Sequence, residues 1–274
     1  MNRAHFRSTS GKGIAALALL LLAAPGVYAD FEKLPEAASD EAKQLAVVFD
    51  FDTDSCYPSP AVSRTGELND GLRPTGRITG ECRGKEQLDN SNTYYRKASI
   101  RKGDVEYAVH MYALYFRKDQ WAPVTPVPAG HRHDWEFALV WTTNGKLTHA
   151  SYSAHGKVTT ERAGRLHFDE GKRDIVKIVY HKDDVRTHAF RFAKENEEAE
   201  NHLRRWITPT LVDWHAMKSD SVSNEELRKK FNEHDFGEAN CSFNDNNFPN
   251  EIAKNPPEGY PSGEEWRREA AKGR

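Results

Sequence analysis

Residues 128–141 of this 274-residue chain read PAGHRHDWEFALVW and concentrate ionisable side chains just before an apolar run. Successive side chains of an extended strand point to opposite faces, so Asp134 and Glu136 would share one face. His131 lies just before the strand, where a glycine-preceded loop leaves its direction open. Asp119, in the sequence RKDQ, could add a further carboxylate. Oxygen-rich ligation with few nitrogens suits Mg²⁺, Ca²⁺ or Mn²⁺ better than Zn²⁺, so the pattern suggests a divalent-cation site.

Two other interpretations of these residues stay open. Arg132 could pair with Asp134 or Glu136 in an ion-pair network that needs no metal, although two like charges on one strand face repel unless something neutralises them. A metal-dependent hydrolase could be built on His131, His133 and Asp134. The sequence contains no His-Glu-x-x-His, no Gly-x-Ser-x-Gly elbow and no P-loop, so we expect a protein that is not an enzyme.

The segments that must position these residues have the composition of short strands. VEYAVHMYALYF (105–116) and WEFALVWTT (135–143) contain few strongly polar positions, which predicts interior strands covered on both faces. Residues 146–155, 174–181 and 187–193 also have strand composition and are separated by turn signals. The sequence therefore predicts a fold dominated by β-structure, a single β-sandwich with a few peripheral helices.

Helices are predicted at only a few places. Ser39 would cap a short helix over 39–45, and Ser223 with Glu226 forms a capping box at the start of a helix over 223–231. The segment 254–274 is polar and rich in proline and glycine, so we expect a mobile tail that ends in a short frayed helix.

The first 29 residues are typical of a secretory signal peptide. A basic start is followed by the apolar run IAALALLLLAAPG and by a small-residue site for cleavage after Ala29. We therefore expect an extracellular, monomeric protein with one domain over 30–253. The formal charge of −2 predicts no nucleic-acid partner and no polybasic lipid patch.

The three cysteines suggest one disulfide and one free thiol. Cys56 and Cys82 flank a segment rich in glycine, proline and asparagine, and a bridge there would help to order it. Cys241 is left over, and we favour a buried thiol over a bridge between two chains.

Seven consecutive residues, GHRHDWE (130–136), resemble the signature heptapeptide of the necrosis- and ethylene-inducing peptide-like proteins. Further segments that resemble this family are MYALYFRKDQ, FDFDTDSCYP, LDNSN, SAHGK, VYHKDD with THAFRFA, and DFGEAN. The resemblance covers roughly residues 46–250. It implies a microbial secreted protein with a β-sandwich similar in shape to actinoporins and fungal lectins. It also implies that cytolytic members bind, with a divalent cation, the sugar head of glycosylinositol phosphorylceramides in plant plasma membranes.

The resemblance also assigns the metal ligands. By motif position they fall on Asp119, His131, Asp134 and Glu136, in agreement with the alternation argument. We expect Mg²⁺ or Ca²⁺ as the cation.

Four further residues are predicted to line the ligand cavity. His155 of SAHG and His188 of THAF resemble the family's conserved cavity histidines, although they could instead be strand histidines bonded to backbone. Arg132 and His133 of the heptapeptide complete the predicted set.

A second, weaker calcium region is suggested by Asp50, Asp52 and Asp54, which resemble a region of the FDFDTDSCYP subgroup. Solvated acids at the end of a strand explain the same residues equally well.

Two departures from the family pattern bear on toxicity. Where cytolytic relatives have a tryptophan that faces the membrane, this chain has Asp183 and Asp184. The proline-rich stretch between Asp119 and His131 carries Trp121, which could insert at a membrane interface or pack on the sandwich. We therefore expect a secreted toxin-like protein that damages plant plasma membranes, with a non-cytolytic carbohydrate-binding protein as the alternative.

Overall fold

Strands dominate the part of the chain that the structure, a computed structural model, describes: Met1 and residues 31–123, 127–172, 174–184 and 186–273. The strands are β1 (Val48–Phe51), β2 (Asn92–Lys102), β3 (Val105–Gln120), β4 (Gly130–Thr143), β5 (Lys146–Ala154), β6 (Lys157–Arg162), β7 (Lys177–Lys182), β8 (His188–Phe192) and β9 (Thr210–Asp213). The helices are α1 (Asp40–Gln44), α2 (Lys85–Asp89), α3 (Asn224–Glu233), α4 (Phe248–Glu251) and α5 (Gly263–Ala271), with one turn of 3₁₀ helix at Ala163–Arg165. The predicted signal peptide lies outside the described residues, except for Met1.

The strands form two sheets. The larger has the order β6-β5-β4-β3-β2-β9, and the smaller has the order β1-β7-β8. Strands β2 to β6 are consecutive antiparallel neighbours, whereas β9 runs parallel to β2 and β1 runs parallel to β7. The sequence did not predict β2, β6 or β9, which contain many charged or hydroxyl side chains.

The two sheets pack face to face around an aromatic core. Tyr112 and Phe116 of β3 face the smaller sheet and belong to one buried cluster with Ile178, Tyr180 and Phe190. Phe116 and Tyr180 stack with their ring centroids 3.8 Å apart. This layer confirms the predicted β-sandwich.

The other face of the larger sheet is covered by helices. Tyr115, Trp135 and Trp141 on this face belong to one cluster with Phe231 of α3 and Trp266 of α5. Because helices cover one face and the smaller sheet the other, β3 and β4 are apolar on both faces, as their composition predicts.

The C-terminal segment is part of this helical layer, so the prediction of a mobile tail over 254–274 is wrong for residues 254–273. Helix α5 begins with a capping box, in which the Ser262 hydroxyl accepts from the backbone N–H of Glu265 and the Glu265 carboxylate accepts from that of Ser262. Trp266 is completely buried and packs on Trp141 with ring centroids 5.6 Å apart. Burial of this one large apolar side chain outweighs the polar composition of the segment around it.

Three smaller predictions agree with the structure. Ser39 caps α1, and the capping box of Ser223 and Glu226 begins α3. Cys56 and Cys82 form a disulfide, and Cys241 is a buried free thiol. None of the helices among the described residues has the length and apolar character needed to cross a membrane.

The position of Trp266 in the core gives a stability prediction. Trp266→Ala should lower the free energy of unfolding by about 3–5 kcal/mol, because it removes a buried aromatic side chain and leaves a cavity. Arg268→Ala in the same helix is the control; it breaks only an exposed pair with Glu264 and should cost no more than about 0.5 kcal/mol. Equal urea midpoints for the two variants would show that α5 is not part of the cooperative fold.

A buried histidine predicts a loss of stability in acid. His110 is fully buried beside the Tyr95 hydroxyl, and burial lowers the pKa of its imidazole from 6.5 to about 4. Between these two pH values the unfolded chain binds a proton that the folded chain excludes, so the free energy of unfolding falls as the pH falls. The loss should reach about 3 kcal/mol by pH 4.

His110→Gln isolates this contribution, since every other titrating group is shared with the parent protein. We expect urea unfolding to show a smaller loss between pH 7 and pH 4 for the variant. Parallel stability curves for the two proteins would contradict the assignment to His110.

Candidate metal centre

Three predicted ligands meet where β3 ends and β4 begins. Asp119, His131 and Asp134 each offer one ligand atom, and these atoms all lie within 4.8 Å of one another. Within the described ranges they are the one group of three or more His, Cys, Asp or Glu side chains that could hold an ion in this way. The antiparallel register explains part of this meeting, because Asp119 lies directly opposite His131.

Regular alternation alone would not bring the trio together. Phe116 pairs with Asp134, and both face the smaller sheet, where they contact Tyr180. Asp119 is three residues after Phe116, so in a regular strand it would point away from the smaller sheet. It instead bonds to His188 of β8, which belongs to the smaller sheet.

The pleat is broken at one position on each strand. Between the pairs Phe116–Asp134 and Lys118–Arg132, the register skips Arg117 and His133, and His133 has a φ of 60°. A histidine in this left-handed region is strained, and such strain is commonly found at functional sites. The break returns Asp119 and His131 to the face that Asp134 already occupies.

Each carboxylate of the centre is held by a donor from another segment. Asp119 accepts from the backbone N–H and the Nδ1 of His188 at 2.8 and 2.7 Å. Asp134 accepts from the Tyr180 hydroxyl at 2.8 Å, and Glu136 accepts from the Ser153 hydroxyl. These bonds fix the direction of the carboxylates in the way that supporting residues orient the ligands of metal sites.

The electrostatic situation of these acids is unfavourable without a positive charge. Burial, followed by the charge of Asp119, raises the pKa of Asp134 to about 7. Burial and the charge of Asp134 raise the pKa of Glu136 well above its usual range. For His131, burial lowers the pKa, but the charges of Asp134 and Asp119 outweigh it and the net change is upward. All three raised pKa values mean that the site favours an added positive charge, which a proton or a metal cation can supply.

The trio opens into a cavity of about 280 Å³. Glu136, the fourth predicted ligand, is not in the trio but lines the cavity, as do His155 and His188. His188 is 2% exposed, and its Nε2 has no hydrogen-bond partner among the described residues. His155 bonds through Nε2 to Asp183 at 3.0 Å. Both histidines therefore belong to the cavity wall, and His188 also supports Asp119.

Arg132 and His133 are not among the residues that line the cavity, so this part of the predicted set is wrong. The Nδ1 of His133 lies 2.6 Å from the Tyr115 hydroxyl, and its ring packs on Phe236 in the helical layer. Arg132 is exposed and donates to the backbone oxygen of Asp70 at 2.7 Å. The physical reason is the strand itself, which turns the side chain of His133 to the face opposite Asp134.

The second calcium region does not gather in the described structure. Asp50 is buried and accepts from the backbone N–H groups of Glu200 and Asn201. Burial raises the pKa of Asp52 to about 6, and Asp54 is exposed. Among the described residues, these three acids do not form a group whose ligand atoms all lie within 4.8 Å of one another.

Several cavity residues gave no signal in the sequence. Ser242, Glu251 and Lys254 line the cavity but come from a segment more than 100 residues after the heptapeptide. Only the packing of the helical layer against the sheet edge brings that segment to the cavity.

Comparison with known proteins agrees with this architecture. Residues 39–255 match the family profile described as necrosis inducing protein (NPP1). NLP effector protein 10 of Phytophthora capsici is 31% identical over 209 residues, which cover 73% of this chain and 76% of that protein. NLP effector protein 2 of the same organism is 30% identical over 229 residues, covering 80% and 78% of the two chains.

Solved structures share the fold. A non-toxic protein, HaNLP3, superposes with a TM-score of 0.64 at 27% identity and covers 83% of this chain and 97% of its own. NLPPya in complex with mannosamine gives a TM-score of 0.61 at 25% identity, over 81% and 93% of the two chains. The extent of the profile match and the similarity to the effector proteins together establish that this chain belongs to the necrosis inducing protein family.

Proposed function

We propose that this protein is a secreted, toxin-like protein that binds a divalent cation and the sugar head of a membrane glycosphingolipid, and thereby damages plant plasma membranes. The observation that carries the proposal is the meeting of Asp119, His131 and Asp134 within 4.8 Å in the wall of a polar cavity. Glycosylinositol phosphorylceramide is the proposed lipid, since the family resemblance implies it.

The donor set fits a hard divalent cation. Asp119, Asp134 and Glu136 offer carboxylate oxygens and His131 offers one imidazole nitrogen, the mixture that Mg²⁺ or Ca²⁺ prefers over Zn²⁺. A bound cation would supply the positive charge that these buried acids lack and an electrophilic centre for hydroxyl or phosphate oxygens. The chain itself holds the carboxylates in place through His188, Tyr180 and Ser153.

A sugar is the ligand class that suits the cavity. Carboxylate, imidazole, hydroxyl and lysine side chains line it, and these groups recognise hydroxyl-rich rings by hydrogen bonds. NLPPya has been solved with mannosamine and with glucosamine, which supports sugar binding as a property to test in this relative.

Membrane contact is supported by two exposed apolar side chains. Trp121 is 43% exposed and Val127 is 66% exposed, and both lie between Asp119 and His131 in the chain. Tryptophan favours the membrane–water interface because its ring is apolar and its N–H is polar. A sugar bound at the cation would bring this segment toward the bilayer.

The second candidate is a carbohydrate-binding protein that does not lyse membranes. Asp183 bonds to His155 at the cavity edge, and it adds negative charge to a surface that would approach an anionic leaflet. HaNLP3, which shares the fold, is described as non-toxic, so the fold by itself does not imply lysis.

A metallohydrolase built on His131, His133 and Asp134 has less support. Such an enzyme needs His133 beside the other two, but this histidine bonds to Tyr115 on the face of the larger sheet that the helices cover.

Cation binding, sugar binding and leakage give the first test. Calorimetric titration with Mg²⁺ and Ca²⁺ should show one site, and Asp134→Asn should weaken it at least about tenfold because a ligand charge is lost. The variant should also lose dye release from vesicles that contain plant glycosylinositol phosphorylceramide. Asp104→Asn, in the exposed turn at the opposite end of β3, is the control and should match the parent protein.

The outcomes separate the candidates. Binding to the vesicles without leakage would favour the carbohydrate-binding alternative. Full lysis by Asp134→Asn, or lysis unaffected by a chelator, would overturn the proposed role of the cation.

The same substitution should stabilise the cation-free protein. Asp134 has a folded-state pKa of about 7 against a usual value of 3.8, so the folded state loses stability as the pH rises between these values. The asparagine amide carries no charge and can still accept from the Tyr180 hydroxyl. With a chelator present at pH 7.5, we expect Asp134→Asn to unfold with a free energy about 2–4 kcal/mol higher than that of the parent protein.

This advantage should disappear below about pH 4, where the parent carboxyl group is protonated in both states. A variant that is less stable than the parent at pH 7.5 would contradict this prediction. It would show that Asp134 stabilises the fold and that burial of its charge does not lower the free energy of unfolding.

A further inference from the structure

The cavity has a second polar wall, formed by Ser242 and Glu251, that the cation site does not use. Ser242 lies in the turn before α4 and Glu251 is the last residue of α4. Both line the same cavity as Asp119, His131 and Asp134. We refer to Ser242 and Glu251 as the α4 wall.

Ser242 is buried without a partner. It is 2% exposed, and its hydroxyl oxygen makes no hydrogen bond to any described residue. An unsatisfied buried hydroxyl is destabilising, and native structures rarely keep one unless a ligand or ordered water completes it. Its position in the cavity wall indicates that a bound ligand is the missing partner.

Glu251 extends the acidic row beyond the cation site. Its charge is one of the causes that raise the pKa of Glu136, together with burial and the charge of Asp134. Its carboxylate lies 2.5 Å from the Nζ of Lys254, and that lysine also donates to the backbone oxygen of Gly156 at 3.1 Å. Lys254 therefore ties the wall to the turn between β5 and β6, where Gly156 also lines the cavity.

The α4 wall is rigidly supported. Phe248 and Ile252 on either side of Glu251 are buried in the core. The turn that carries Ser242 is fixed by Asp245, whose carboxylate accepts from the guanidinium of Arg96 at 2.8 Å. A wall held in this way can discriminate between ligands, because its polar atoms cannot move to suit a mismatched group.

The charge of the cavity selects the kind of group that fits. Five carboxylates line it, from Asp119, Asp134, Glu136, Glu238 and Glu251, against the two lysines Lys157 and Lys254. A divalent cation would still leave an excess of negative charge. A positively charged or hydrogen-donating substituent is favoured there, and a carboxylate is repelled.

We propose that Ser242 and Glu251 form a specificity subsite that receives an ammonium group of the sugar in preference to a hydroxyl, and that excludes an acidic sugar. The subsite rests on the proposed function, since it acts on the sugar bound at the cation. Glu251 accepts from the ammonium group and Ser242 accepts from the same or a neighbouring donor of the ring.

The test compares three probes on the cation-loaded, full-length protein: glucosamine, glucose and glucuronate. Calorimetry near neutral pH should rank their affinities in that order. Glu251→Gln should lower the affinity for glucosamine about tenfold, change that for glucose less than threefold and improve that for glucuronate, because Lys254 is then no longer neutralised. The affinity for the cation alone should fall less than threefold, because Glu251 acts on the cation site only through its charge near Glu136.

Ser242→Ala provides a second variant in case Glu251→Gln disturbs α4. It should weaken glucosamine binding severalfold while the thermal midpoint of the sugar-free protein stays equal or rises, since an unpaired hydroxyl is removed. A purely structural role for Ser242 would instead lower the midpoint and leave the affinity unchanged. Glu225→Gln, exposed on α3, is the matched control and should alter neither measurement.

The failure of this inference differs from the failure of the proposed function. If Asp134→Asn abolishes sugar binding while Glu251→Gln and Ser242→Ala keep the parental ranking, the subsite is wrong and the cation site stands. If glucosamine binds equally well with a chelator, the proposed function is wrong as well. If the parent protein binds none of the three probes, the subsite is overturned.

Discussion

Like charges buried on adjacent strands are the constraint on which this site depends. Asp119, Asp134 and Glu136 line one cavity, and burial together with mutual repulsion raises the pKa of the last two. A fold selected for stability alone would not keep such a group. The surrounding structure tolerates it because the cost is concentrated at one place, where a cation can relieve it, and because the rest of the sandwich is densely packed around aromatic side chains.

Each layer of the fold contributes to this arrangement. The larger sheet carries the ligands, and the smaller sheet supplies His188 and Tyr180, which orient two of the carboxylates. The segment that includes α4 supplies two further lining residues, Ser242 and Glu251. The proposed cation and sugar sites therefore share side chains with the packed layers, and a substitution in one layer is expected to affect the others only through these few contacts.

Much of the fold could be predicted from local patterns. The alternating apolar strands, the N-cap at Ser39, the capping box at Ser223 and the disulfide of Cys56 with Cys82 all follow from rules that act over a few residues or one loop. The errors arose where packing outweighs composition. Trp266 anchors a segment that is otherwise polar enough to predict disorder, and the polar strands β2, β6 and β9 are stabilised by their neighbours in the sheet.

The sequence by itself determined the chemistry of the centre: the identity of the acids and the histidine, their closeness along β4 and the family to which the heptapeptide belongs. Only the tertiary structure decided which of them meet. The breaks in the pleat at Arg117 and His133 bring Asp119 and His131 to the face of Asp134, and the side chain of His133 turns away. The segment that includes α4 brings Ser242 and Glu251 across more than 100 residues. Local patterns specify which face a side chain takes in a regular strand, whereas an irregular residue and a distant segment are placed by the packing of the whole chain.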